Sequence, residues 1–362
     1  MSLQERAALI KELEQQRDSH IICYTTSTRP GIQAQISEDA VRVFFDHLLL
    51  LPERPVKRLD IFLSSNGGNG VVPWRLISLF REFAETVGVL LPYRAYSAAT
   101  MLALGADEIV MHPFAEMGPI DPTVSNDFNP IDPVTQQRIG ISVEDVKAYV
   151  SFIKDTVGIR HEDELIQAIR ILAEKVHPLA IGNVERFISQ SRMIARKILL
   201  THMTEENSKH KIDETIDILA SKLYFHGHPI NRKEARQELG LKVLENPTPA
   251  LEELMWKLYV DFEDELESRR PFDPMSSIWN QSADMDLPEG GSIPVVPIGA
   301  SNLTDSKLAI IESARLSTAY NLRQRFVVVG TGPQSEPLVR AEVLSQGWDR
   351  RSADDEAQPL QP

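Results

Sequence analysis

Two stretches of the 362-residue chain carry groups suited to acyl transfer. One is 93-YRAYSAATMLALGADEIVM-111, where Ser97 stands among small residues ahead of the acidic pair Asp107 and Glu108. A serine hydroxyl becomes a nucleophile when a base takes its proton, N–H donors face the developing oxyanion, and the residue is exposed, as at a strand-to-helix turn. Ser97 follows the apolar run 87-VGVLL-91 and Pro92, and Ala98, Ala99 and Gly105 let a helix begin close to neighbouring backbone. Serine is also a leading helix N-cap, so the residues alone leave both roles open. The other stretch is 64-SSNGGNG-70. Consecutive glycines expose backbone N–H groups that suit an oxyanion hole, a phosphate cradle or a plain tight turn. The spacing of Gly67, Gly68 and Gly70 is not the dinucleotide fingerprint, and no lysine follows as in a P-loop.

The elements that must position these groups follow a parallel α/β rhythm. The runs 21-IICYTT-26, 59-LDIFLSS-65, 87-VGVLL-91 and 108-EIVM-111 read as strands. Helices are expected between them: one after Ser37 with Val41, Phe44, Phe45 and Leu48 on one face, one with Leu76, Leu79, Phe80 and Phe83, and a short one over 97–105. Strand and helix alternating in this way build a parallel layer, and uninterrupted apolar runs suit strands covered on both faces. Residues 112–137, with Pro113, Pro119, Pro122, Pro130 and Pro133, read as a long loop. Residues 142–222 read as mostly helical, 268–307 as a linker, and 308–330 as a β-hairpin.

Bulk composition narrows the function classes. There are 38 basic against 52 acidic side chains, a net charge of −14, so binding along a phosphate backbone is not expected. The single cysteine, Cys23, lies in an apolar run, which excludes an intramolecular disulfide and a cysteine-rich zinc site. His226 and His228 flank Gly227 without an apparent third ligand, so no metal and no cofactor is expected. No apolar stretch suits a signal core or a membrane span, which predicts a cytoplasmic protein.

Taken in order, the motifs carry a resemblance. Ser65-Asn66-Gly67-Gly68, then Ser97-Ala98-Ala99-Thr100, then Met117-Gly118-Pro119-Ile120-Asp121-Pro122, with 225-FHGHPI-230 and 238-ELGLKV-243 further on, resemble the serine dehydrogenase proteinase family. These are relatives of Clp protease and signal peptide peptidase A with the ClpP/crotonase fold. The resemblance covers roughly residues 20–245 and implies a fold of repeated β-β-α units with a helical extension and a C-terminal accessory region. With the composition and patterning on either side of it, the chain divides into an N-terminal helix (1–20), a peptidase domain (21–245), a helix and linker (246–307), a small accessory β region (308–350) and a disordered tail (351–362). The resemblance implies that Ser97 is the nucleophile and that the N–H groups of Gly68 or Gly67 and of Ala98 hold the oxyanion. No histidine occurs in 113–160, where Clp protease would place one, and Lys147, 50 residues after Ser97, matches the lysine base of the signal peptide peptidases, with Lys154 as its rival. Asn66 replaces the usual proline, and Ala99 adds a Cβ beside Ser97 where the family usually has glycine. The resemblance implies a peptide or protein substrate and a homo-oligomer assembled through 142–222. A non-catalytic scaffold on the same fold and a crotonase-type acyl-CoA enzyme are the competing functions.

Overall fold

The computed structural model describes residues 1–120, 123–124, 127–132, 138–204, 208–222, 228–286, 292–332 and 336–351. Helix α1 (Leu3–Arg17) opens on a capping box: Ser2 Oγ accepts from the Glu5 N–H, and the Glu5 carboxylate accepts from the Ser2 N–H. There follow β1 (His20–Thr26), α2 (Ala40–Leu48), β2 (Val56–Ser64), α3 (Val72–Phe83), β3 (Ala84–Leu91), β4 (Arg94–Ala95), α4 (Ala98–Ala103), β5 (Glu108–Met111) and β6 (Glu116–Met117). Strands β1, β2, β3 and β5 run parallel in that order.

Their registers explain why apolar residues run on consecutively along the strands. Cys23, Phe62, Leu90 and Val110 are opposite one another across the four strands and face a core shared with Leu9, Ile10 and Leu13 of α1. One residue earlier, Ile22, Ile61, Val89 and Ile109 face the opposite way, into the larger core with Phe44 of α2 and Phe80 of α3. Successive strand side chains alternate faces, so a layer covered on both sides has no polar positions to spare.

The helical extension comprises β7 (Thr123–Val124), β8 (Ile141–Ser142), α5 (Val143–Ser151), α6 (Glu162–Lys175), α7 (Pro178–Leu199), α8 (Ser208–Asp217) and α9 (Arg232–Gln237). Then come α10 (Pro249–Glu265), α11 (Ser276–Trp279), β9 (Ala283–Asp286), β10 (Ser292–Val295), β11 (Ser301–Ser313), β12 (Leu316–Thr331) and β13 (Pro337–Arg351). The expected hairpin over 308–330 is formed by β11 and β12, and it is much larger than expected because β13 joins it. These strands do not stand apart from the main sheet. β11 pairs antiparallel with β1, giving one seven-stranded mixed sheet in the order β13-β12-β11-β1-β2-β3-β5.

Beneath the sheet, α10 carries Tyr259 and Phe262 onto the α1 side. There Arg6 is enclosed by Asp261 (2.5 Å), Glu265 (2.5 Å) and Glu312 (3.1 Å), which tie α1, α10 and β11 together. Arg351 and Lys307 also reach Glu265, each at 2.5 Å. No helix among the described residues is long and apolar enough to cross a membrane.

Candidate active site

A second small layer lies across the ends of the parallel strands. Ser65 continues β2 and bridges Ala95 of β4, β4 pairs parallel with β6, and Met117 of β6 bridges Ile230. The ladder is closed by backbone hydrogen bonds: Ser65 N–H to Arg94 O (2.8 Å), Tyr96 N–H to Ser65 O (3.0 Å) and Gly118 N–H to Ala95 O (2.9 Å). Strands β2, β3 and β5 are thus each followed by a short segment in the second layer, and β2 and β3 then lead to a helix. This places 65-SNGG-68, 96-YSAA-99 and 117-MGPI-120 side by side, although about 30 and 20 residues separate them in sequence.

Small residues permit this approach. Gly67 has φ 96°, and a Cβ there would lie 2.4 Å from Tyr96 O and 2.9 Å from Ser97 Cβ. Gly118 packs under the ring of Tyr96, where a Cβ would lie 2.6 Å from Cδ1. Thr100, fully buried, holds the layers together: its hydroxyl lies 2.6 Å from Ala95 O and 2.8 Å from Gly118 O, and it accepts from the Gly118 N–H at 3.3 Å.

Ser97 precedes α4 with φ 51° and ψ −114°, a conformation that a residue with a Cβ adopts only under constraint, at a cost of roughly 1–3 kcal/mol. The constraint is visible: Ser97 N–H donates to Pro119 O (3.1 Å), and Ser97 O accepts from Met101 N–H (3.0 Å). Its side chain does not cap α4 and makes no hydrogen bond among the described residues. The cap role therefore falls away, and the hydroxyl is left at the wall of a cleft of about 500 Å³. Asn66, Gly68, Asn69 and Gly70 line this cleft from the glycine loop, with Gln35, Met101 of α4 and Ile120. Phe187, Gln190, Ser191 and Ile194 of α7 close it from the other side.

The backbone donors near Ser97 differ in availability. Gly67 N–H donates to Ser65 Oγ (3.1 Å), which itself accepts from Thr26 Oγ1 (2.7 Å). The Gly67 N–H expected as an oxyanion donor is therefore already engaged. Gly68 bridges Ile36 through its neighbours, by Ile36 N–H to Gly67 O (2.8 Å) and Asn69 N–H to Ile36 O (2.8 Å). Its own N–H, and that of Ala98 at the first position of α4, donate to no described atom. Asn66 Oδ1 is buried and also without a partner.

Other residues in or near these motifs, some of them candidates from the sequence, lie elsewhere. Ala99 is fully buried in the core, and its Cβ does not border the cleft. Tyr93 stacks on Phe114 (ring centroids 4.9 Å apart), and Tyr96 donates to Glu116 Oε1 (2.7 Å), so neither tyrosine lines the cleft. Asp107 pairs with Arg81 (2.5 Å) and accepts from Val87 N–H (2.7 Å). Burial works against the charged form of Glu108, but Arg17 and Arg58, each at 3.0 Å, hold its carboxyl below the usual range. The acidic pair is thus structural. His112 stacks on Trp256, and burial lowers its basicity. His228 pairs with Glu234 at 2.8 Å, and His226 and Asp121 lie outside the described residues. Among the described residues no cluster suits a metal ion. The side chain of Lys147 also lies outside them, although its backbone belongs to α5, and Lys154 is exposed. The cleft side chains from α7 escaped the sequence reading, yet their spacing at 187, 190, 191 and 194 is that of one helical face and was there to be read.

A mixed sheet crossed at its strand ends by a short second layer, with helices on both faces, is a ClpP-like α/β fold. Residues 1–138 match the family model of the ClpP-like SDH-type serine proteinases. Two uncharacterized proteins of Methanocaldococcus jannaschii are similar to the chain. One is 26% identical over 129 residues, 34% of this chain and 43% of that protein. The other is 25% identical over 187 residues, 52% of this chain and 54% of that protein. The chain thus spans about half the length of the curated relatives it matches. Among solved structures, two mutant forms of a membrane-bound stomatin-specific protease are similar at 13% identity. One covers 61% of this chain and 79% of its own at a TM-score of 0.34. The other, in complex with a substrate peptide, covers 60% and 73% at 0.36.

Proposed function

We propose that the chain is a serine-peptidase-like hydrolase in which Ser97 is the nucleophile, the N–H groups of Gly68 and Ala98 hold the oxyanion, and Lys147 is the base. The observation that carries the proposal is the constrained backbone of Ser97, with its hydroxyl unengaged at the cleft wall beside two unengaged N–H groups. In this reading the neutral lysine amine takes the Oγ proton as Oγ attacks the acyl carbon, and the resulting ammonium returns the proton to the leaving amine. Water then releases the acyl group by the same route. Lys147 is favoured because Val146 beside it packs with Ala180, Val184 and Ile188 of α7, the helix that closes the cleft. The substrate is a peptide or protein segment, and the setting is the cytoplasm. The crotonase-type alternative is not taken up, since among the described residues no basic side chain lines the cleft to receive the phosphates of a coenzyme A.

Assembly into a homo-oligomer is part of the proposal. Helix α6 contains no buried residue, and Ile166, Ile169 and Ile171 are 60%, 54% and 58% exposed. Ile166 and Ile169, one turn apart, share a face of the helix, and a second copy would cover it.

One observation favours a second reading, a binding protein without turnover: none of the described side chains lining the cleft is titratable. Hydrolysis of peptide and ester substrates separates the two. Wild-type turnover should fall about a thousandfold in Ser97→Ala and comparably in Lys147→Ala. A folded wild type that turns over neither substrate class supports the binding protein instead. Turnover retained in Lys147→Ala removes that lysine from the mechanism.

A further inference from the structure

Strand β13 ends the seven-stranded sheet, and among the described residues no strand pairs with its outer edge. The opposite edge is treated differently: Ile109 of β5 is bridged by Val243. β13 is 15 residues long, whereas strands commonly run to about 5–6, and no proline follows Pro337 to blunt the edge. An edge row of N–H and C=O groups, regular here from Val339 to Val343, is a template for another strand.

The sequence of the strand indicates which one. Residues 338-LVRAEVL-344 read symmetrically about Ala341. If a second copy lies antiparallel on this edge with the two Ala341 residues opposite each other, Val339 meets Val343, Leu338 meets Leu344, and Arg340 meets Glu342, each pair occurring twice. The ladder to β12 is regular over the same five central residues, from Val339 opposite Val328 to Val343 opposite Gln324, with irregularities on either side. The apolar members have surface to bury: Leu338, Val343 and Leu344 are 49%, 56% and 49% exposed. Glu342 already accepts from Arg325 (2.6 Å) and Arg340 (2.7 Å) of its own chain, so two-fold pairing builds an alternating row of charges across the junction. An unrelated partner strand has no need of this internal symmetry. We infer that the outer edge of β13 is a homotypic docking surface, on which two copies of the chain join their sheets antiparallel about a two-fold axis through Ala341.

This junction is independent of any assembly through α6 and of the reading of Ser97. It is tested by disulfide trapping in the full chain, whose one native cysteine, Cys23, is fully buried with its thiol pushed up by burial. Directly opposed residues of an antiparallel pair have Cα atoms about 4.5–5.5 Å apart, within disulfide reach. Ala341→Cys should therefore give a covalent dimer on mild oxidation. Ser345→Cys, also exposed, would set its two thiols roughly 27 Å apart along the junction and should not. Adding Arg340→Glu to Ala341→Cys puts like charges opposite one another and should lower the trapped fraction at limiting concentration roughly tenfold. No dimer from folded Ala341→Cys, equal trapping at both positions, or trapping indifferent to Arg340→Glu overturns the inference.

Discussion

Ser65, Ala95 and Met117, under the Ser97 wall of the cleft, are fully buried in a continuous backbone ladder. On the opposite side, α7 buries one face, while α6 beyond it buries nothing. The first region fixes its groups in advance. Ser97 is held in a costly conformation from both sides, by Pro119 and Met101, and the donors next to it are backbone atoms with no rotamer freedom. The second region depends on side chains and on whatever covers α6. Electrostatic stabilisation of an oxyanion needs groups that do not reorganise as charge develops, whereas a proton acceptor on a helix tolerates adjustment. In the proposed mechanism, the part of the site requiring preorganisation is built from strand ends, and the adaptable part from the extension.

Three variants, two in these regions and one beneath the sheet, would break or sharpen this contrast. Gly67→Ala should act most strongly, since its Cβ meets backbone at 2.4 Å in a conformation that alanine resists. A loss of about 3 kcal/mol in denaturant unfolding is expected, with complete loss of reactivity at Ser97. A stable, reactive variant would show that the floor is not rigid. Ile166→Glu combined with Ile169→Glu should leave folding intact, because both side chains are exposed, yet lower the mass seen by light scattering. An unchanged mass would remove α6 from the assembly. The smallest effect is expected underneath the sheet, away from both regions. Burial opposes the charge of Glu265, but Arg6, Arg351 and Lys307 outweigh it and bring the carboxyl from 4.5 down to about 2. Its contribution is fully present above its unfolded value and is lost as the pH falls through this window. Neighbouring Glu312, raised by burial, opposes part of the effect. Glu265→Gln should cost about 2 kcal/mol near neutrality and flatten the melting temperature between pH 5 and 3. The same pH slope in variant and wild type would contradict this.

The sequence made the floor legible because its elements announce themselves locally. Apolar runs such as 87-VGVLL-91 and 108-EIVM-111 lie within strands, and the small residues of 97–105 surround α4. The order of the Ser65, Ser97 and Met117 motifs implied the fold that brings them together. Other features were not legible. β4 and β6 are two residues each, too short for any periodicity to register, yet they set the geometry of the site. Pairing of β11 with β1 joins residues almost 290 positions apart and has no local signature. Gly67 and Gly68 look alike in sequence, and only the hydroxyl of Ser65 distinguishes the engaged N–H from the unengaged one. Tyr93 and Tyr96 stand near Ser97 in sequence, but the stacking on Phe114 and the bond to Glu116 that turn them aside come from residues about 20 positions on.

The central claim is that the preorganised floor presents Ser97 as a nucleophile. Its most direct test is to treat the folded protein with a fluorophosphonate and map the adduct by mass spectrometry of the digested chain. The account predicts a single adduct, on the peptide containing Ser97, that is absent from Ser97→Ala. A folded wild type that acquires no adduct, or an adduct that persists in Ser97→Ala, would contradict it.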